Sequence, residues 1–291
     1  MKKHIALLHL IFAFFSCQPD EEYKISGYTQ KIIVEGSIAN DEFPSVYLSF
    51  NVPLSEKVDS DSIRNYVISV AKVMISDSED PNAAGAKTEI LTAGYWNETR
   101  FPFHEYKGTD FRGESGKTYY LTVDYGGYTM HAKTTIPDKT GITGFKTNSV
   151  NDSMSILSLT MNIDPAKKQS YRVFTKKSKD GYYVPTPFLF NSTFSLSGVQ
   201  EFTLRPSPKL NDPSYKEGIY FRKGDQVNIM FCTIDSTSTQ FFKELTMLSS
   251  STGIGNEIFM GEKEALKSNI SYPGFGIWFG NGVNYYTYII P

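Results

Sequence analysis

Few groups in this chain could react, and Cys17 stands where a thiol is acted upon. It follows Ser16 directly, at the end of an apolar stretch from Ile5 to Phe15 that only His9 interrupts, behind the positive start Met1-Lys2-Lys3-His4. Eleven residues in a helix span about 16 Å, roughly half a hydrocarbon core, so the stretch reads as the apolar region of an export signal and is too short to cross a membrane. A small residue followed by a thiol is what a lipoprotein signal needs, because the peptidase accepts the one and diacylglycerol is attached to the other. Phe14 departs from that pattern, which usually has Leu there. The expectation is therefore a signal over 1–16, cleavage before Cys17, lipidation of its thiol and a tether over 17–29. An ordinary secretory signal with an incidental cysteine is the alternative. Acyl chains, at about 0.8 kcal/mol per buried CH₂, would anchor the mature chain stably.

Other residue patterns point away from catalysis. Gly113-Glu114-Ser115-Gly116-Lys117-Thr118 resembles the end of a phosphate-binding loop, but Phe111 occupies the position of its first glycine, and Tyr119 to Val123 alternates as a strand where a helix is required. It reads as a turn before a strand. Gly274-Phe275-Gly276 and Gly280-Asn281-Gly282 have no following helix to hold a phosphate, so turns or bulges allowing close backbone approach are expected. His104 and His131 lie far apart with no ligand spacing between them, and no Gly-x-Ser-x-Gly elbow supports a hydrolase. Asp59, Asp61, Asp77, Glu79 and Asp80 could hold calcium, or form solvated loops. Cys232, within the apolar run Val227–Cys232, reads as a buried small hydrophobe. No catalytic residue, metal or cofactor is expected, and the chain reads as not an enzyme. Trp96, Tyr182, Tyr183, Phe188 and Phe190 are the candidates for binding a ligand or partner. They fall in or beside segments read as loops, where exposed aromatics bury large area at small entropic cost; filling a core is their other reading.

The elements that would position these residues are mostly strands. Aromatics make up 14% of the chain, an excess that favours pleated, half-buried surfaces. Two-residue alternation marks strands at 31–38, 45–50, 71–76, 117–124, 129–136, 153–163, 170–177, 225–234 and 284–290, with a Gly-Gly hairpin turn at 126–127. Residues 178–222 read as long loops or irregular edges. One helix is expected, capped by Thr237 with Gln240 and laying Phe241, Phe242, Leu245 and Leu248 against a sheet. Pro137 to Gly141 reads as a linker. The expected class is all-β, with two β-sandwich-like domains over 30–137 and 138–291 and one short helix in the second. A net charge of −2 offers nothing to draw nucleic acid.

Taken in order, several segments resemble a Bacteroidetes lipoprotein family of unassigned function, the DUF4249 proteins. Cys17 is followed by Ile32-Ile33-Val34-Glu35-Gly36-Ser37-Ile38, similar to the family's opening strand, and by Val70–Asp77, similar to its next. Gly116–Val123 with Ala132–Pro137 resembles the close of its first domain, and Ser268-Asn269-Ile270 with Gly274–Phe279 its carboxy-terminal signature. The resemblance implies an Ig-like first domain and an outer-membrane lipoprotein often encoded beside TonB-dependent transporters; it brings no catalytic residues. The acidic run Asp20-Glu21-Glu22 resembles the tag that exports such lipoproteins to the cell surface, or is a solvated tether. The functional expectation is a non-catalytic accessory subunit docking on an outer-membrane β-barrel, such as a TonB-dependent transporter. Surface capture of a glycan or nutrient is the alternative.

Overall fold

The structure is a computed structural model of the 291-residue chain. It describes residues 29–52, 59, 61–96, 104–164, 169–177, 183–185, 190–191, 198–204, 206, 220–250 and 266–291. Cys17, Tyr182 and Phe188 lie outside the described residues, as do the expected leader and all but the last residue of the expected tether.

The first half supplies β1 (Ile32–Ala39), β2 (Ser45–Phe50), β3 (Lys72–Ser76), β4 (Thr88–Ile90), β5 (Thr92–Trp96), β6 (His104–Lys107), β7 (Thr118–Tyr125) and β8 (Tyr128–Thr135). The second half supplies β9 (Gly144–Ser149), β10 (Met154–Asn162), β11 (Ser170–Lys177), β12 (Val184–Pro185), β13 (Phe190–Asn191), β14 (Val199–Leu204), β15 (Phe221–Arg222), β16 (Gln226–Ile234) and β17 (Gly274–Ile289). One α-helix, α1 (Ser236–Ser250), occurs among the described residues. None of their helices is long and apolar enough to cross a membrane. The all-β expectation holds. Within the stretch read as loops, however, Val199–Leu204 forms a regular strand on β10, with Leu204 buried opposite Leu157.

Two sandwiches are built on one shared sheet. The long sheet runs β12-β11-β16-β17-β1-β2-β6-β5, with β13 also pairing β11. Over its first-half strands lies the sheet β4-β3-β7-β8. Between them Val34, Ile38, Val46 and Leu48 meet Val73, Ile75, Leu121, Val123 and Met130 in one core. Over the second-half strands lies β10 with its partners β9, β14 and β15. There Leu157, Leu159, Met161 and Phe221 meet Tyr171, Val173, Val227, Ile229 and Phe231. Alternation explains the division of each strand: β1 sends Ile32, Val34 and Ile38 inward while Ile33, Glu35 and Ser37 face the other way.

β17 joins the two sandwiches. Its first half pairs in parallel with β1, Gly274 opposite Ile32 through Asn281 opposite Ala39. Its second half pairs antiparallel with β16, Asn281 opposite Ile234 through Ile289 opposite Gln226. Pro137 is therefore no break in the long sheet. The glycines read as turns or bulges are interior to this strand, and their use is close approach. A Cβ on Gly276, where φ is +136°, would lie 1.9 Å from the Val34 carbonyl oxygen. One on Gly280 would lie 2.6 Å from the Thr135 carbonyl oxygen. Trp278 fills the first core, its ring against Gly36, its Nε1 donating to the Tyr119 carbonyl at 3.1 Å. The Asn269 carboxamide accepts the Trp278 N–H at 2.9 Å and donates to its carbonyl at 2.7 Å, imitating a neighbouring strand.

Candidate functional site

On the other face of the long sheet α1 packs Phe241 and Phe242 onto Cys232, Ile234, Ile277, Phe279 and Val283 in a third, smaller cluster, and among the described residues it covers that face only in part. Asp235 positions the helix: its carboxylate accepts the Ser238 N–H at 2.6 Å and its carbonyl accepts the Thr239 hydroxyl at 2.6 Å. This corrects the cap expected at Thr237. β16 stays buried through Ile234, so the chain turns one residue later, and Gln240 donates to Glu244 instead. Phe241 and Phe242 are buried, Phe242 edge-on to Phe279 with centroids 5.1 Å apart. Leu245, expected on the packed face, is 44% exposed, and the Leu248 side chain lies outside the described residues.

Beside the helix lies a groove of about 770 Å³. Its floor is the outward-facing set of four adjoining strands: Ile33, Glu35 and Ser37 of β1, Phe275, Ile277 and Phe279 of β17, Met230 of β16, and Arg172 and Phe174 of β11. Tyr47 of β2 closes one side, and Phe241, Phe242, Leu245 and Leu266 the other. The Arg172 guanidinium is held between rings, 3.7 Å from the Phe242 centroid and 4.8 Å from that of Phe174. At the rim, the Tyr183 ring lies 6.1 Å from that of Tyr285, with the Lys176 ammonium 5.1 Å from the Tyr183 ring. The Tyr285 hydroxyl donates to Glu42. Burial raises the pKa of both phenols, and for Tyr285 the bond to Glu42 raises it further, so both remain proton donors at neutral pH. A mainly apolar trough with a few fixed polar groups is suited to binding.

Of the aromatics singled out from sequence, Tyr183 is at the groove. Trp96 ends β5, its backbone paired with His104, at the opposite edge of the long sheet from β12, so the sheet keeps it apart from Tyr183. Phe190 is in β13 opposite Tyr171. Tyr182 and Phe188 lie outside the described residues. Sequence reading missed Arg172, Phe174, Met230, Phe242 and Phe275 as groove residues. For Met230 the signal was the near-continuous apolar run of Val227–Ile234, which marks a strand covered on both faces.

The remaining candidates have structural roles. Gly116, at φ +81°, makes the turn before β7, so the phosphate-loop likeness ends in a strand. The Asp59 carboxylate accepts the Asp61 and Ser62 N–H groups and the Ser62 hydroxyl, ordering the 3₁₀ turn Ser62–Tyr66. Asp77 and Asp80 accept the Lys87 and Asn82 N–H groups. Buried Glu89 holds the turn after β6 through the N–H groups of Thr109 and Asp110. His104 packs edge-on to Tyr106, and His131 Nδ1 lies 3.3 Å from the Thr122 hydroxyl. Among the described residues no three His, Cys, Asp or Glu side chains converge as for a metal. Burial pushes the Cys232 thiol up to about 12, so it is no nucleophile at neutral pH.

No family model matches this chain, and no curated protein matches it at significant similarity. Among solved structures, a segment of two fibronectin type III domains from chicken tenascin aligns with 70% of this chain and 91% of its own, at 11% identity and a TM-score of 0.19. At that score the likeness carries nothing about function, and the mainly β class stands on the sheets described above.

Proposed function

We propose that this chain is a non-catalytic lipoprotein of the outer membrane, held at the cell surface by acyl chains on Cys17, and that it serves as an accessory subunit docking on an outer-membrane β-barrel, a TonB-dependent transporter in particular. The address rests on the short apolar leader ending in Ser16-Cys17, and the partner on the family resemblance of the strand segments. The observation that carries a binding role is the groove: an aromatic-lined trough on the outer face of a sheet whose other face is locked into two cores. A rigid floor of this kind presents its side chains at little conformational cost. The test is gentle extraction of the tagged, lipidated protein from its native membranes. A large barrel protein should accompany it, and recovery of the chain alone even after crosslinking would refute the docking role.

The groove's volume favours a second reading. About 770 Å³ falls within the range of pockets that enclose small molecules. In that reading the chain captures a glycan or another nutrient against Phe174, Tyr183 and Arg172. Calorimetry against a glycan panel should then give heat that Phe174→Ala or Tyr183→Ala removes. Barrel capture that survives these substitutions, with no heat from any ligand, would leave docking alone.

A further inference from the structure

The end of the molecule where the tether enters carries exposed apolar side chains that neither the cores nor the groove uses. Thr29, the first described residue, is fixed there: Asn51 donates to its carbonyl at 3.2 Å and accepts the Lys31 N–H at 2.7 Å. The neighbouring Phe50 meets the Tyr125 ring edge-on, with centroids 6.0 Å apart, and Tyr125 faces Tyr128 across the β7–β8 turn. Three residues along β8, His131 exchanges two bonds with Ser271, its N–H donating to the Ser271 hydroxyl and its carbonyl accepting the Ser271 N–H, both at 2.8 Å. This brings Tyr272 to the same end. Val70 joins them, two residues before Lys72, which pairs with Asp124 beside the turn. Tyr272 is 91% exposed, Val70 81% and Tyr128 54%.

Single exposed apolar residues are ordinary on a surface. Three around one chain entry, two of them tyrosines, are a different arrangement. Tyrosine suits a membrane interface, where its ring meets the acyl boundary and its hydroxyl meets headgroups. Lys31 and Lys72 stand beside them, but the Lys72 ammonium lies 3.9 Å from the Asp124 carboxylate and the Lys31 ammonium over the Phe275 ring, so the tyrosines carry the contact. The twelve Cα–Cα steps from Cys17 to Thr29 span at most about 40 Å, so acyl chains on Cys17 keep this end within reach of the bilayer. β17 runs away from it for 16 residues, about 50 Å.

Resting on the anchoring reading above, we propose that this end is a membrane seat: Tyr272, Tyr128 and Val70 enter the headgroup layer of the leaflet that holds the Cys17 acyl chains. β17 then stands away from the membrane, and the groove, lying on a sheet face, opens sideways toward a neighbour in the same membrane.

The test uses full-length lipidated protein in phosphatidylethanolamine–phosphatidylglycerol vesicles with nitroxide-bearing lipids. An environment-sensitive fluorophore is placed on Thr129→Cys, at the seat, or on Ile289→Cys, at the far end of β17. Buried Cys232 and acylated Cys17 do not compete for label. The Thr129 probe should be quenched severalfold more than the Ile289 probe, and Tyr128→Asp with Tyr272→Asp should abolish the difference while leaving the melting temperature unchanged. Protein that fails to float with the vesicles refutes the anchor itself. Protein that floats, yet shows equal quenching at both probes, overturns the seat while the anchor stands. Shielding of the Thr129 probe only when a co-purified barrel protein is added also overturns the seat, in favour of a protein contact.

Discussion

The two faces of the long sheet are made by the same strands and treated differently. On β16, Val227, Ile229 and Phe231 are wholly buried beneath a second sheet, while Met230 on the reverse is half-buried at the groove. On β17, Trp278 is wholly buried in the first core, whereas Phe275, three residues earlier on the reverse face, is only half-buried, with the Lys31 ammonium 5.4 Å from its ring. Strand alternation makes this division possible but does not decide it. A face becomes core when another layer closes over it, and a single helix leaves part of the reverse face accessible. One side of the sheet thus lies wholly within the two sandwich cores; on the other, Cys232, Ile234, Ile277, Phe279 and Val283 pack with Phe241 and Phe242 in a third, smaller cluster, and among the described residues the groove beside it is what is left for recognition.

The sharpest way to break this comparison is to truncate neighbours on opposite faces. Phe231→Ala should cost about 3–5 kcal/mol in urea unfolding, the usual loss for a fully buried aromatic, and Met230→Ala about 1 kcal/mol or less. Equal losses would mean that the groove is as much a core as the sandwich interior. Next in size, Gly276→Ala should cost roughly 3 kcal/mol, because a Cβ there meets the Val34 backbone and φ is unfavourable for alanine. A neutral result by thermal melting would show that the parallel pairing of β1 and β17 is loose.

Smaller effects test how the helix seals its part of the groove face. Asp235→Ala should lose about 1 kcal/mol and Thr237→Ala only a few tenths, read as shifts in the urea midpoint; the reverse order would restore the cap expected from sequence. The gentlest effect is alkaline. Burial pushes the Cys232 thiol and the Tyr106 phenol up to about 12, from ordinary values of 9.0 and 10.0. Between those values the folded chain retains protons that the unfolded chain has released, so stability should fall as pH rises from about 9 to 12 and be unaffected by these groups below that window. Ellman reactivity of Cys232 in native protein at pH 8 would show that α1 does not keep its side dry.

Much of the fold was legible because burial on one face of a strand leaves a two-residue rhythm. β1, β2, β7, β8, β10, β11 and β16 all lie within a residue or two of the alternating stretches. The rhythm failed where both parities carried the same character. The first half of β17 alternates glycine with large apolar residues, and its glycines read as turns or bulges for close backbone approach; the approach to Val34 and Thr135 is there, but within a strand that the reading missed. β14, Val199–Leu204, was passed over because its surroundings are rich in Pro and Gly, although β10 supplies a partner for each of its residues. Of the groove, sequence located Tyr183 through its aromatic setting. Arg172 and Phe242, 70 residues nearer the carboxyl end, look unrelated until β16 and α1 bring them into contact.

By itself the sequence determined the β class, the turn at Gly126-Gly127, a helix after β16 and an inert Cys232, because each depends on local periodicity or on one side chain's preference for burial. Only the tertiary structure decided that the two sandwiches share one sheet, that the glycines of β17 lie within one continuous strand, and that a groove lies beside α1. Those facts depend on which distant segments pair, and pairing is settled by the total surface buried and the hydrogen bonds completed across the chain.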